Sequence, residues 1–215
     1  MQNETDLPWS GSKMKEQPVK LYPTLGCCGL DCGLCPRYYT VGPSRCPGCC
    51  GPDFFNKHPS CSYITCCVKK KNLEVCAQCE EYPCSKFESL RIDGEEYDSF
   101  ATYRKVYPNM TFIKEYGLKK FIEQQSKRIK LLQTMLKSFN EGRSKSFYCL
   151  AASLLSVEAL ENSLEKTEKS LRDRKIRSGD LKTRAQMLRR FFEEYAASEG
   201  VQLKLRKKAK KDGRK

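Results

Sequence analysis

In 215 residues the chain has a single histidine, His58, and a single tryptophan, Trp9. One histidine excludes histidine-based acid–base chains and three-histidine catalytic zinc sites. A glycine-rich phosphate loop, a serine beside an acid–base pair and an H-E-x-x-H helix are also missing, so no motif marks an enzyme class and the question of catalysis stays open. Long apolar runs are absent as well. The most apolar stretch, Phe147 to Leu155, is far shorter than the ~20 residues a membrane helix needs. Met1 to Cys28 carries neither the apolar run nor the small-residue cleavage pattern of a secretory signal. The expectation is a soluble, cytoplasmic protein with no membrane partner.

Cysteine, by contrast, is abundant and concentrated. Thirteen of the fourteen cysteines lie between Cys27 and Cys84, and the 131 residues after Cys84 carry only Cys149. In a reducing compartment such clusters are metal ligands or redox thiols rather than a disulfide framework. Ten of them form spaced groups: Cys28-x3-Cys32-x2-Cys35, Cys46-x2-Cys49, Cys61-x4-Cys66 and Cys76-x2-Cys79-x4-Cys84. A C-x2-C pair turns the chain tightly enough to aim both sulfurs at one point about 2.3 Å from a zinc ion.

One grouping places Cys32, Cys35, Cys46 and Cys49 around one zinc and Cys61, Cys66, Cys76 and Cys79 around a second, leaving Cys28 and Cys84 over. Cys76, Cys79 and Cys84 could equally serve one site together. The triplet spacing at Cys28 also matches the ligands of a four-iron iron–sulfur cluster in radical enzymes. Those need a barrel of alternating strands and helices, which this sequence lacks, so zinc is favoured. Cys27, Cys50 and Cys67 adjoin proposed ligands and read as bystanders, because neighbouring side chains usually point apart. Cys149, on an apolar helix face, reads as packing, and His58 as an exposed loop residue.

The segment Cys28-Gly29-Leu30-Asp31-Cys32-Gly33-Leu34-Cys35-Pro36, followed by Cys46-Pro47-Gly48-Cys49, Cys61, Cys66 and Cys76-Ala77-Gln78-Cys79-Glu80-Glu81-Tyr82-Pro83-Cys84, resembles a prokaryotic family of small cysteine-rich proteins, a domain of unknown function labelled zinc-binding. The resemblance covers roughly Cys28 to Phe87. It implies metal binding by the ten cysteines already selected and supplies no activity.

The composition divides the chain into a mobile N-terminal arm (1–20), a loop-rich cysteine domain (21–91), a helical domain (98–200) and a basic tail (201–215). Glycine and proline are dense between Gly26 and Pro83, which limits that region to turns, short strands and a helical turn or two. So small a loop-rich core depends on a metal or another staple to fold. From Asp98 the period becomes helical. One short helix carries Phe100, Ala101, Tyr103 and Tyr107 and stops at Pro108. A second follows the stripe Leu118, Ile122, Ile129, Leu132, Leu136 and Phe139, broken only by Gln125. A third runs from Ser146 to Leu171, and a fourth starts at Asp180 as N-cap and ends near Gly200. Short links imply antiparallel packing into an all-α bundle or hairpin.

The formal charge of +14 is uneven: residues 201–215 hold 8 Lys+Arg against 1 Asp+Glu. A four-thiolate site with a divalent metal carries about −2, so two sites would bring the total to about +10. A tail containing Lys204, Arg206, Lys207, Lys208, Lys210, Lys211, Arg214 and Lys215 suits nucleic-acid phosphates. Lys69, Lys70 and Lys71 suit the neutralisation of thiolates. A metal-stapled module that binds a protein partner is the leading functional expectation. A thiol-based or iron–sulfur redox protein and a nucleic-acid-associated protein are the alternatives.

Overall fold

The computed structural model describes residues 19–58, 61–87 and 97–207. The expected arm, with Trp9, falls almost wholly outside them, as do Lys208 to Lys215 of the tail. Among the described residues the chain is helical and has no strand. No helix is long and apolar enough to cross a membrane.

Five helices form the larger part: α1 (Val106–Tyr116), α2 (Leu118–Ser138), α3 (Lys145–Leu154), α4 (Val157–Asp173) and α5 (Leu181–Ser198). The stripe from Leu118 gives α2 almost as the sequence predicts. Two expectations need correction. Pro108 opens a helix instead of ending one: it is the third residue of α1, where a helical N–H has no intrahelical partner and its loss costs little. The segment from Phe100 to Lys105 is a turn. The single third helix is two, because Ser156 breaks away from the helical conformation and caps α4, its Oγ accepting the Ala159 N–H at 3.0 Å. Glu199, just past α5, fixes that break by accepting from both the Ser156 N–H and Oγ–H. Asp180 caps α5 as predicted, accepting the Thr183 N–H at 3.1 Å.

The cysteine region contains no strands among its described residues. Short helical pieces serve instead: 3-10 turns at Cys32–Leu34 and Cys76–Gln78, a helical turn at Phe54–Lys57, and Ser62–Ile64 running into a π-helical turn at Thr65–Lys70.

The cores run across the expected domain boundary. Leu34 is buried with Leu132, Phe139, Tyr148, Leu155 and Phe192 of the bundle. Leu25, Val75, Ala77 and Phe87 are buried with Val106, Met110, Ile113 and Phe121. Gly29 shows how closely the two parts meet. A Cβ there would lie 2.7 Å from Met110 Cγ and 2.9 Å from the Val106 carbonyl oxygen, and its φ of +88° suits only glycine. A third core lies inside the cysteine region and joins Phe54, Ile64 and Val68 to Cys27, Cys49, Cys50 and Cys67. Residues 201–207, expected as free tail, are docked: Arg104 donates to the carbonyls of Gln202 and Lys204, and Arg206 pairs with Asp98.

Candidate metal centre

The centre is built where three loops bring cysteines under the first turns of the chain. Cys27 and Cys49 place their Sγ atoms 3.6 Å apart. Cys50 and Cys67 are buried in the same core as this pair and Cys76 packs against it, so five cysteines gather in one region. Cys27, Cys49, Cys50 and Cys67 are all buried. Cys27, Cys50 and Cys67, which read as bystanders in the sequence, are buried here together with Cys49 of the ten spaced cysteines, and Cys32, Cys61 and Cys76 of the ten pack against them. Cys49 lies against Cys27, with Cys50 and, from the expected Cys32/Cys35/Cys46/Cys49 set, Cys32 also close.

Local backbone explains why adjacent cysteines are not separated here. Cys50 has φ +55°, a left-handed turn, so Cys49 and Cys50 do not alternate as in an extended chain. Cys66 and Cys67 lie in the π-helical turn, where neighbours are offset around an axis rather than placed on opposite faces.

Hydrogen bonding sets the acidity within the group. Contact with Cys49, and then the nearby Cys50 and Cys67, pulls the Cys27 thiol far down despite its burial, while the Cys67 S–H donates to the Leu73 carbonyl at 3.3 Å. The same contacts push Cys49 up strongly and Cys50 to about 11. Cys67 is raised by its contact with Cys27, and in turn draws Cys76 down.

Lys20, which the sequence placed at the end of a mobile arm, is 4 % exposed, and its ammonium donates to the Leu25 carbonyl. Among the described residues it has no carboxylate partner. The groups its charge acts on are thiols: Cys27, Cys32, Cys50 and Cys76 are all drawn down by it. A buried cation is stabilised by anionic neighbours, a role that ionised thiols beside Lys20 would fill.

The other spaced cysteines surround this group. Cys66, Cys79 and Cys84 line a cleft of about 30 Å³ that Cys67 and Cys76 also border. Lys71 donates to Cys79 Sγ at 3.2 Å and to Glu81 at 2.7 Å, in keeping with a thiolate-neutralising role for that lysine. Cys61 packs on the buried cysteine core. Cys28, Cys32 and Cys35 are raised by burial, Cys28 to about 12, and Cys32 lies within charge reach of Cys28, Cys35 and Cys46. Cys149 is 1 % exposed in the bundle core, away from the cluster, and burial raises it to about 12. His58 is half-buried and stacks on Phe54 at 4.5 Å, so it is not the exposed loop residue expected.

In a tetrahedral tetrathiolate with bonds of about 2.3 Å, sulfurs lie about 3.8 Å apart. The Cys27–Cys49 spacing is close to that, and the donor set is all sulfur, which suits zinc. The thiols stand in pairwise contact without converging: among the described residues no group of three or more His, Cys, Asp or Glu side chains is posed to hold a metal ion. No family model, curated protein or solved structure matches the chain.

Proposed function

We propose that this chain is a zinc-stapled binding module, in which Cys27, Cys49, Cys67 and Cys76 hold a structural zinc ion and the helices present a surface to a partner. The observation that carries this reading is the buried Lys20 ammonium facing a buried group of thiols. A tetrathiolate zinc carries about −2, which supplies the counter-charge Lys20 lacks and ionises sulfurs that burial would otherwise keep neutral. Zinc here cross-links residues 27, 49, 67 and 76, stabilising a region with few regular elements. Cys66, Cys79 and Cys84, with Lys71 beside them, are the candidates for a second ion.

The test is metal content and colour of the full chain purified without oxygen. Colourless protein with one or two zinc ions per chain supports the reading. Brown protein with iron and sulfide, or protein that folds fully without metal, overturns it.

A second reading, nucleic-acid binding, moves from the tail to α2. Lys119, Lys120, Lys127, Lys130 and Lys137 are exposed on that helix, and none forms an ion pair among the described residues. Binding to a single-stranded oligonucleotide that weakens steeply with salt, and is lost in K127E/K130E, would favour it.

A further inference from the structure

Where α1, α2 and α3 meet the loop after Cys28, the fold encloses a pocket of about 180 Å³ that none of the cysteines line. Its two sides differ in chemistry. Phe112, Phe121 and Pro108 supply an apolar wall, and Asp31, Lys105 and Arg128 supply charge.

Each charged group has a different status. Asp31 is engaged, with Oδ2 accepting from Asn109 at 2.8 Å and Oδ1 from Gln125 at 2.9 Å. Arg128 is anchored, its Nη1 donating to the carbonyls of Ala152 (2.7 Å) and Leu155 (2.6 Å) at the end of α3. Lys105 is half-buried; its carbonyl accepts the Asn109 N–H at 2.8 Å, but its ammonium has no hydrogen bond or ion pair among the described residues. Burial, and then the neighbouring Arg128 charge, lower its pKa, against the opposite pull of the Asp31 and Glu199 carboxylates. Two cations thus share a pocket with one carboxylate whose oxygens are both already hydrogen-bonded.

We infer that this pocket binds a small organic carboxylate, its anionic group held by Lys105 and Arg128 and its apolar body packed on Phe112 and Phe121. The ligand supplies the charge that Lys105 lacks, and the aromatic wall excludes water from the pair, which strengthens it. Fixing Arg128 by two carbonyls and Asp31 by two amides leaves Lys105 as the group that moves to meet the ligand. The inference is independent of the metal: no thiol takes part, and it can hold or fail whichever metal the cysteines bind.

The test titrates the metal-loaded full chain with benzoate and follows backbone amide shifts by NMR, with benzyl alcohol, benzylamine and inorganic phosphate as separate arms. Benzoate is expected to give saturable shifts centred on Lys105, Asn109 and Arg128 that the neutral and cationic analogues do not reproduce. Lys105→Met should weaken benzoate by about tenfold or more, and Lys105→Arg should restore most of the binding. The proposal is overturned if nothing saturates, if benzyl alcohol or benzylamine binds as well as benzoate, if phosphate binds in its place, or if Lys105→Met has no effect. The comparison among ligands on the unaltered chain decides the matter even if a variant folds poorly.

Discussion

Gln125 joins the middle of α2 to the loop of Asp31: its Nε2 donates to Asp31 Oδ1 at 2.9 Å and to the Thr24 carbonyl at 3.0 Å, while its Oε1 accepts from Thr24 Oγ1 at 2.9 Å. The side chain is 2 % exposed and every polar atom in it is used. Gln125→Leu would complete the apolar stripe of α2, and on helical pattern alone it should stabilise. The opposite is expected. Leucine removes two partners from Thr24 and one from a buried carboxylate, at a cost of about 1–3 kcal/mol. Urea unfolding of the full chain measures this, and an unchanged or higher midpoint would show that the clamp contributes nothing.

That residue also shows where the sequence was legible. The 3- and 4-residue spacing from Leu118 to Phe139 located α2 because burial on one side imposes that period regardless of what the helix packs against. The interruption at Gln125 marked the place where the partner changes from bundle to cysteine loop, but its meaning depends on Thr24 and Asp31, about a hundred residues earlier. Pro108 and Ser156 are each compatible with two local structures, and tertiary contacts such as Glu199 on Ser156 decide between them. At the centre, spacing revealed that cysteines gather but not which ones. Choosing between Cys27 and Cys28, or Cys66 and Cys67, requires backbone angles that two adjacent identical residues do not disclose. Lys20 gave no local signal at all, since its burial comes from chain far away in sequence.

Removing the Lys20 charge tests whether the cluster is anionic. Lys20→Gln keeps a donor for the Leu25 carbonyl and deletes the cation. A tetrathiolate then loses its compensating charge, and zinc affinity should fall about 10–100-fold, the usual effect of losing a supporting partner. Competition with a chromophoric chelator reads this directly. Equal affinity would mean the thiols beside Lys20 are not metal-bound.

Among the cysteines, Cys27→Ser and Cys67→Ser should lower zinc per chain, whereas Cys149→Ser should leave it unchanged. Cys149 is buried among bundle side chains, where replacing sulfur by a hydroxyl costs about 1–2 kcal/mol without touching the cluster. The contrast separates metal loss from general destabilisation. If Cys149→Ser lowers zinc as much as Cys27→Ser does, metal content is only reporting fold.

The loop before Cys49 depends on glycine. Gly48 has φ +87°, and a Cβ there would stand 2.3 Å from the Pro23 carbonyl oxygen, the atom that accepts the Cys49 N–H at 2.7 Å. Gly48→Ala therefore both strains the backbone and pushes away the acceptor that positions Cys49, at about 1–3 kcal/mol. Thermal unfolding of the zinc-loaded chain should show the loss, together with weaker zinc retention against chelator. A variant with unchanged melting would imply that the loop from Pro47 to Cys50 can rearrange freely.

Asp98 and Arg206 give a pH-dependent prediction whose sign follows from the geometry. The Asp98 side chain is fully buried and Arg206 is 30 % exposed, with Nη2 donating to Oδ1 at 2.8 Å and the Arg206 N–H to Oδ2 at 2.9 Å. Burial alone would raise the Asp98 pKa. The Arg206 guanidinium and N–H, with the Tyr103 N–H, outweigh it and hold the carboxyl below its ordinary 3.8. A carboxyl depressed on folding contributes stability that is present above the unfolded value and is lost as pH falls through the lower folded value. Arg206→Ala leaves the two backbone bonds and a carboxylate with less compensation, so at neutral pH it should cost about 1–3 kcal/mol, less than a fully buried pair because Arg206 is partly solvated. The difference between the unaltered chain and the variant should hold down to about pH 4 and shrink below 3.8 as Asp98 protonates in both. Taking that difference removes the acid release of zinc, which affects both proteins alike. A difference that grew on acidification would mean that Arg206 stabilises the fold through some contact other than Asp98.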